Sequence, residues 1–244
     1  MIRIALVGQP NCGKSTIFNH LVGYKANTSN LPGTTVEYMK SEALIAGKRA
    51  EVVDLPGTYS LTSTDEAEAQ TRNFLVGGEF DAVLNVIDAS LLSRGLELTM
   101  QVLEMGIPLV VCLNMEDEAR RKGLTIDVDA LSERLGVPVV SAIAVRGIGV
   151  KQAAASVMTV AKSHPDVPAP KYSSDVERTI EQLSPRVSSK LGGGGFSPRL
   201  MAIKLLEEDQ FFIDLACEGG FDEFDLVDQL RSQLAQSRGR SGEE

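Results

Sequence analysis

The chain has 244 residues, 43% of them hydrophobic, and its 33 acidic and 24 basic side chains give a formal charge of -9. That length accommodates one domain of roughly 100–200 residues and a smaller one beside it. The acidic balance excludes a broad nucleic-acid footprint, which requires clustered Lys and Arg.

Cys12, Cys112 and Cys217 are widely spaced and odd in number, which argues against a disulfide framework or a zinc site. Arg3 interrupts the apolar start, so no signal peptide is read there. No run approaches the ~18 uninterrupted apolar residues of a membrane span.

Apolar runs at 2–7, 50–54, 82–88, 108–114 and 138–142 alternate with helical segments such as 14–22 and 94–104. Short, continuously apolar strands of this kind belong to a parallel sheet buried on both faces. Segments 36–45 and 49–54 are joined around Gly47-Lys48, a connection that permits only an antiparallel hairpin. The expected fold is therefore a doubly wound α/β domain: a mostly parallel six-stranded sheet with helices on both faces. A Pro-rich stretch, HPDVPAP, follows. It divides the chain into a domain over 1–163, a linker over 164–171 and an all-helical domain over 172–244. Helices are expected at 175–187, 198–208 and 221–234, with 192–195 as a glycine break. The polar end, SRGRSGEE, reads as a linker.

Residues 8–15, GQPNCGKS, match G-x-x-x-x-G-K-[ST] between a strand and a helix. Glycine turns aim backbone N–H groups at a β-phosphate, and the helix N-terminus adds a favourable dipole. Gly8, Asn11, Cys12, Gly13, Lys14, Ser15 and Thr16 are the expected phosphate-contacting set. Lys14 should reach the β- and γ-phosphates, and Ser15 should ligate Mg²⁺.

Asp54-Leu55-Pro56-Gly57 has the D-x-x-G form, with Asp54 on Mg²⁺ and the Gly57 N–H on the γ-phosphate. The plain alternative is a strand-end turn. Asn114-Met115-Glu116-Asp117 has the N-x-x-D form, with Met115 where Lys is commoner. A carboxylate at Asp117 can accept from both N1–H and the exocyclic amine of guanine, a pair that adenine does not offer. The alternative is a helix cap. Ser141-Ala142 would present a backbone N–H to guanine O6. Thr34 and Thr35 are the candidates for a switch threonine on Mg²⁺, and Thr35 is preferred.

These motifs occur in one order, at strand ends, and together resemble the GTPase family over 1–162. The resemblance implies guanine-nucleotide (GTP/GDP) binding and hydrolysis, with Lys14, Asn11, Thr35 and Gly57 as the catalytic groups. Where many small GTPases carry a water-orienting Gln after the D-x-x-G glycine, this chain has Thr58, so turnover should be slow, on the order of 10⁻⁴–10⁻² s⁻¹. The loop G-x-P-N-x-G-K-S resembles that of GTPases activated by a monovalent cation, which implies K⁺ on Asn11.

Segments DLPGTYSLT (54–62), NVIDAS (85–90), LNMEDEA (113–119), PGTTVE (32–37) and RLMAIKLLEED (199–209) resemble the bacterial ferrous-iron transport protein B family. Thr34 departs from that family's usual residue before the metal-binding Thr, and Glu116 adds an acid inside the base motif. The resemblance implies a cytosolic GTPase module at the inner membrane's cytoplasmic face. A transmembrane permease part of the same polypeptide would follow it. A homo-oligomer is compatible with this reading, and no nucleic acid is expected. Two other readings stay open: a soluble K⁺-dependent GTPase of RNA modification or ribosome assembly, and a nucleotide-dependent switch with negligible hydrolysis.

Overall fold

A computed structural model describes residues 1–23, 27–30, 37–61, 66–77, 80–191, 196–237 and 239. The chain divides into two compact units, Met1–Ala169 and Pro170–Glu244.

The first unit is built on a sheet in the order β2-β3-β4-β1-β5-β6-β7. The strands are β1 (Ile2–Gly8), β2 (Asn27–Asn30), β3 (Glu37–Ile45), β4 (Lys48–Asp54), β5 (Ala82–Asp88), β6 (Leu109–Asn114) and β7 (Val139–Ser141). From β4 to β7 all neighbours are parallel, whereas β2–β3 and β3–β4 are antiparallel. The expected P-loop GTPase fold is present, with one correction to the strand count. The sheet has seven strands, not six. The additional one, β2, reads NTSN. An edge strand paired to β3 alone needs backbone hydrogen bonds and not an apolar run, so its sequence carries no strand signal.

Alternation along each strand builds two cores. On β1, Ile4 and Leu6 join Ile17, Phe18, Val157 and Met158 on one face. Ala5 and Val7 join Leu98, Val102 and Leu75 on the other. Because both faces are covered, every β1 residue from Ile4 to Val7 is 0% exposed and apolar. The helices supplying these faces are α1 (Lys14–Val22), α2 (Glu66–Val76), α3 (Leu92–Glu104), α4 (Glu116–Arg121), α5 (Val128–Leu135) and α6 (Val150–Ser163). Gly95 lets α3 approach β5 closely, since a Cβ there would lie 2.2 Å from Ile87 Cγ2. The β3–β4 hairpin turns through Ala46 and Gly47, both at positive φ (47° and 76°), as a two-residue primed turn requires. After α6, Val167 packs on the second core, and Pro168 meets Gly136.

The second unit holds α7 (Ser174–Leu191), α8 (Pro198–Leu206), α9 (Gln210–Glu218) and α10 (Phe224–Ser237). Ser197 caps α8, with its hydroxyl accepting from Leu200 N–H at 3.1 Å and Pro198 in the first turn. Asp209 caps α9 by accepting from Phe211 N–H at 3.2 Å. Helix α9 is absent from the sequence reading. Its run QFFIDLACE is only nine residues long, with Gln210, Asp214 and Glu218 on the exposed face and Phe212 and Ala216 buried.

Arg199 on α8 forks onto Glu177 of α7, at 2.8 Å to Oε2 and 2.9 Å to Oε1, and also donates to the Pro170 carbonyl at 2.7 Å. Tyr172 N–H donates to the same carboxylate at 2.7 Å. The Arg199 hydrogen bonds first, then that of Tyr172, lower the Glu177 pKa to about 2. A depressed carboxylate pKa stabilises the fold above the unfolded value, and the contribution is lost as pH falls through the folded value. Glu177→Gln should therefore destabilise the protein at pH 7 by about 2 kcal/mol, as expected for loss of charge-assisted bonds. The gap between variant and wild-type melting curves should close as pH drops from the ordinary carboxylate range toward about 2. A gap independent of pH would contradict this.

Candidate nucleotide site

The parallel strands all end on one edge, and the candidate residues sit in the loops that leave it. After β1, Gly8 holds φ +155°, and a Cβ there would lie 2.2 Å from the Val86 carbonyl oxygen. Gly13 holds φ +86° at the start of α1, and a Cβ there would meet Asn114 Nδ2 at 2.2 Å. Neither position admits a side chain, so the loop seats tightly against β5 and β6. Asn11 is exposed at positive φ (63°) on the outer turn. Thr16 is half-buried in the first turn of α1.

Lys14 is 8% exposed, and its ammonium donates to Asp54 Oδ1 and, at 2.5 Å, to the Leu55 carbonyl. Ser15 Oγ donates to Asp54 Oδ2 at 3.1 Å. A buried cation, a hydroxyl and a carboxylate thus converge where β1 and β4 end. Gly57 packs on Pro10, with a built Cβ 3.0 Å from Pro10 Cα, and Thr58 N–H donates to the Gly8 carbonyl at 3.0 Å. The D-x-x-G turn is therefore fastened directly to the phosphate loop.

Asn114 makes the longest link. Its Nδ2 donates to the Cys12 carbonyl at 2.8 Å, and its Oδ1 accepts from Ala144 N–H at 2.8 Å. Met115 follows at positive φ (61°), and its Cε lies 3.8 Å from the Cβ position of Gly13. Asp117 is half-buried in the first turn of α4. The Ala142 carbonyl accepts from Glu116 N–H at 3.3 Å, and Ala142 N–H donates to Leu113 O at 2.8 Å. Ser141 and Ala142 therefore stand against the base motif. Thr34 and Thr35 lie outside the described residues.

Several participants are silent in the sequence. Ala144 contributes only a backbone amide. Gly149, at φ +75°, leaves room for the base loop, since its Cβ would lie 2.1 Å from Ser141 O and 2.9 Å from Ala142 Cα. Gln9 is 3% exposed, and its Nε2 has no hydrogen-bond partner among the described residues. An orphaned buried donor in the phosphate loop, beside a buried ammonium, fits a multiply charged oxyanion. The hard oxygens of Ser15 and Asp54 fit Mg²⁺, and the amide oxygen of Asn11 fits a monovalent cation.

Thr58 follows Gly57 where a water-orienting Gln is common. It is 1% exposed, and its hydroxyl donates to Ser60 O at 2.5 Å and to Glu68 Oε1 at 3.2 Å. That hydroxyl is turned into the protein and is not offered to solvent.

Residues 2–157 match the family model described as ferrous iron transport protein B, and residues 172–244 match that of the FeoB cytosolic helical domain. The chain belongs to the ferrous iron transport protein B family. A Porphyromonas gingivalis "Fe(2+) transport protein A/Fe(2+) transporter FeoB fusion protein" is 38% identical over 215 residues, covering 86% of this chain and 26% of that protein. The Salmonella typhimurium Fe(2+) transporter FeoB is 45% identical over 154 residues, covering 62% of this chain and 20% of the transporter. The chain thus spans about a fifth to a quarter of the curated relatives it matches.

Among solved structures, an S. thermophilus NFeoB mutant bound to mGDP superimposes with TM-score 0.88 at 33% identity, covering 100% of this chain and 92% of that one. S. thermophilus NFeoB bound to GDP.AlF4- and K+ gives TM-score 0.84 at 33% identity, covering 100% and 93%. The T. maritima FeoB cytosolic domain in apo form gives 0.83 at 28% identity, covering 94% and 97%. No helix among the described residues of the present chain is long and apolar enough to cross a membrane.

Cys12 sits inside the phosphate loop, and its thiol is buried. Burial raises its pKa to about 11 against the lowering effect of a Lys14 backbone hydrogen bond and the Lys14 charge. Burial likewise raises Cys112 to about 12. Cys217 is exposed. At pH 8 a thiol held near 11 is ionised to only about one part in a thousand. One cysteine, Cys217, should therefore react rapidly with a thiol reagent at pH 8 in the folded protein, and all three in denaturant. Rapid modification of Cys12 would contradict the burial.

Proposed function

We propose that the chain binds GTP and hydrolyses it to GDP and phosphate, as the nucleotide-responsive cytosolic module of a bacterial ferrous-iron transporter. One observation carries the reading: Asn114 ties the Cys12 carbonyl of the phosphate loop to the Ala144 amide of the base loop. Membership in the family supports the transport context. Residues 1–163 would carry the chemistry. Residues 172–244, reached through 164–171, would tune GDP release, ahead of a permease part of the same polypeptide at the cytoplasmic face of the inner membrane.

In this reading the backbone of Gly8, Cys12, Gly13, Lys14, Ser15 and Thr16 binds the phosphates, and Lys14 neutralises charge on the β- and γ-phosphates. Ser15, Asp54 and Thr35 hold Mg²⁺, which supplies further charge neutralisation at the phosphates. Thr34 is the adjacent candidate for that position, and Gly57 N–H donates to the γ-phosphate. Asp117 and the Ser141-Ala142 backbone read guanine, while Met115 covers the base face. Asn11 holds K⁺ in place of an arginine finger.

The buried Thr58 hydroxyl supports slow intrinsic turnover, since the side chain that follows Gly57 is engaged by Ser60 and Glu68 and is not free to orient water. It also favours a second reading, a switch with negligible hydrolysis. Single-turnover assays separate the two. Hydrolysis at least about tenfold faster in KCl than in NaCl, with the difference erased by Asn11→Ala, is expected. Equal rates in both salts would remove K⁺ from the account, and no phosphate release in either would favour the switch.

Base selection has its own test. Asp117→Asn removes the double acceptor for N1–H and the amine. It should weaken GDP binding by roughly a hundredfold and improve that of XDP, whose 2-oxo group the new amide can donate to. Unchanged GDP affinity would take Asp117 out of the site.

A further inference from the structure

A second surface of the first unit has a character unlike the rest of the molecule. A cleft of about 520 Å³ lies between the end of α1, the β3–β4 hairpin and the start of α6, lined by His20, Leu44, Gly147, Lys151 and Ala154 among others. His20 closes on the base loop, with its Cε1 3.5 Å from the Cβ position of Gly147. Three large apolar side chains stand out into solvent around it: Leu44 (72% exposed) from the hairpin, and Val145 (78%) and Ile148 (52%) from the base loop. Only three other large apolar residues are exposed among the described residues. The turn bearing Val145 is held rigidly by paired backbone bonds between Ile143 and Ile148, at 3.0 and 3.2 Å.

The polar fringe is basic. Lys151 and Lys162 share one face of α6, eleven residues apart. Lys48 at the hairpin turn stands close enough to Lys162 to lower its pKa, after a larger lowering by desolvation. Arg146 is exposed between Val145 and Gly147. None of the described residues lining the cleft is acidic. These four basic groups gather in a chain of net charge -9, with Glu42 the exposed acid nearby, two residues before Leu44 on the same face of β3.

We propose that this edge docks on an anionic phospholipid surface, with Leu44, Val145 and Ile148 entering the headgroup layer and Lys48, Arg146, Lys151 and Lys162 meeting lipid phosphates. Val145 and Ile148 project from the base loop and Leu44 from the end of β3 beside the hairpin turn, which suits an interface that accepts protruding side chains. Long basic side chains flanking them can extend toward phosphates from a range of depths. Each Lys or Arg near an anionic leaflet strengthens attachment, and salt weakens it. None of these side chains is assigned a nucleotide contact, although Val145, Arg146 and Ile148 belong to the base loop.

The test is co-sedimentation of the chain with vesicles of equal parts phosphatidylglycerol and phosphatidylcholine, against vesicles of phosphatidylcholine alone. Binding to the anionic vesicles only, weakened by salt, is expected. Lys48→Glu/Lys151→Glu/Lys162→Glu should reduce it by about tenfold or more, and Val145→Asp should reduce it independently. Arg121→Glu, exposed on α4, should leave it intact. A retained far-ultraviolet spectrum and melting temperature would show that each variant is folded. Absence of binding to anionic vesicles overturns the proposal. So does an equal loss with Arg121→Glu, and so does capture of an acidic amphipathic peptide where vesicles fail.

Discussion

The site depends on one buried amide. Asn114 ends β6, and its two polar atoms join loops that are 102 residues apart on one side and 30 on the other. Asn is suited to this because it carries a donor and an acceptor on one planar group. Asn114 is 2% exposed, so losing either partner would leave a polar atom stranded, and the linkage is expensive to break. Everything else is arranged so that this bridge can form. Parallel pairing brings β1, β4, β5, β6 and β7 to a common edge, and the glycines at positions 8 and 13 keep the first loop low enough for the amide to reach over it.

Electrostatics organises the other half of the site. Lys14 and Asp54 are both nearly buried and face each other across the ends of β1 and β4. A buried ion pair is weak evidence of stability. Its placement beside the Ser15 hydroxyl makes more sense as chemistry, since an ammonium, a hydroxyl and a carboxylate at one strand edge match a phosphate and a divalent cation. The D-x-x-G turn is locked to the same loop by the Thr58 amide, so a change at the phosphates would be felt at once along 54–61. Packing of Tyr59 beneath the Arg94 guanidinium, 3.8 Å from the ring centroid, carries that contact onward to α3.

Much of this was legible in the sequence. The run IRIALVG reads as a strand covered on both sides because both of its faces are apolar. The motif glycines, Lys14, Ser15, Asp54 and Asn114 read as a site because their chemistry and order are specific. What was hidden depends on partners remote in sequence. Strand β2 is polar and exists by pairing with β3. Ala144 and the Thr58 amide act through backbone groups that any residue would supply. Gly149 is required only because Ser141 and Ala142 press against it, a contact invisible without the fold. The direction of the Thr58 hydroxyl is set by Ser60 O and Glu68, partners that become neighbours only in the fold. Thr34 and Thr35 fall outside the described residues.

Calorimetric titration of the purified chain with GDP and with ADP, in the presence of Mg²⁺, tests the central claim most directly. A single site that favours GDP by about a hundredfold or more over ADP is the result predicted by a base loop and phosphate loop joined through Asn114. Equal affinity for the two nucleotides, or no binding of either, would contradict it.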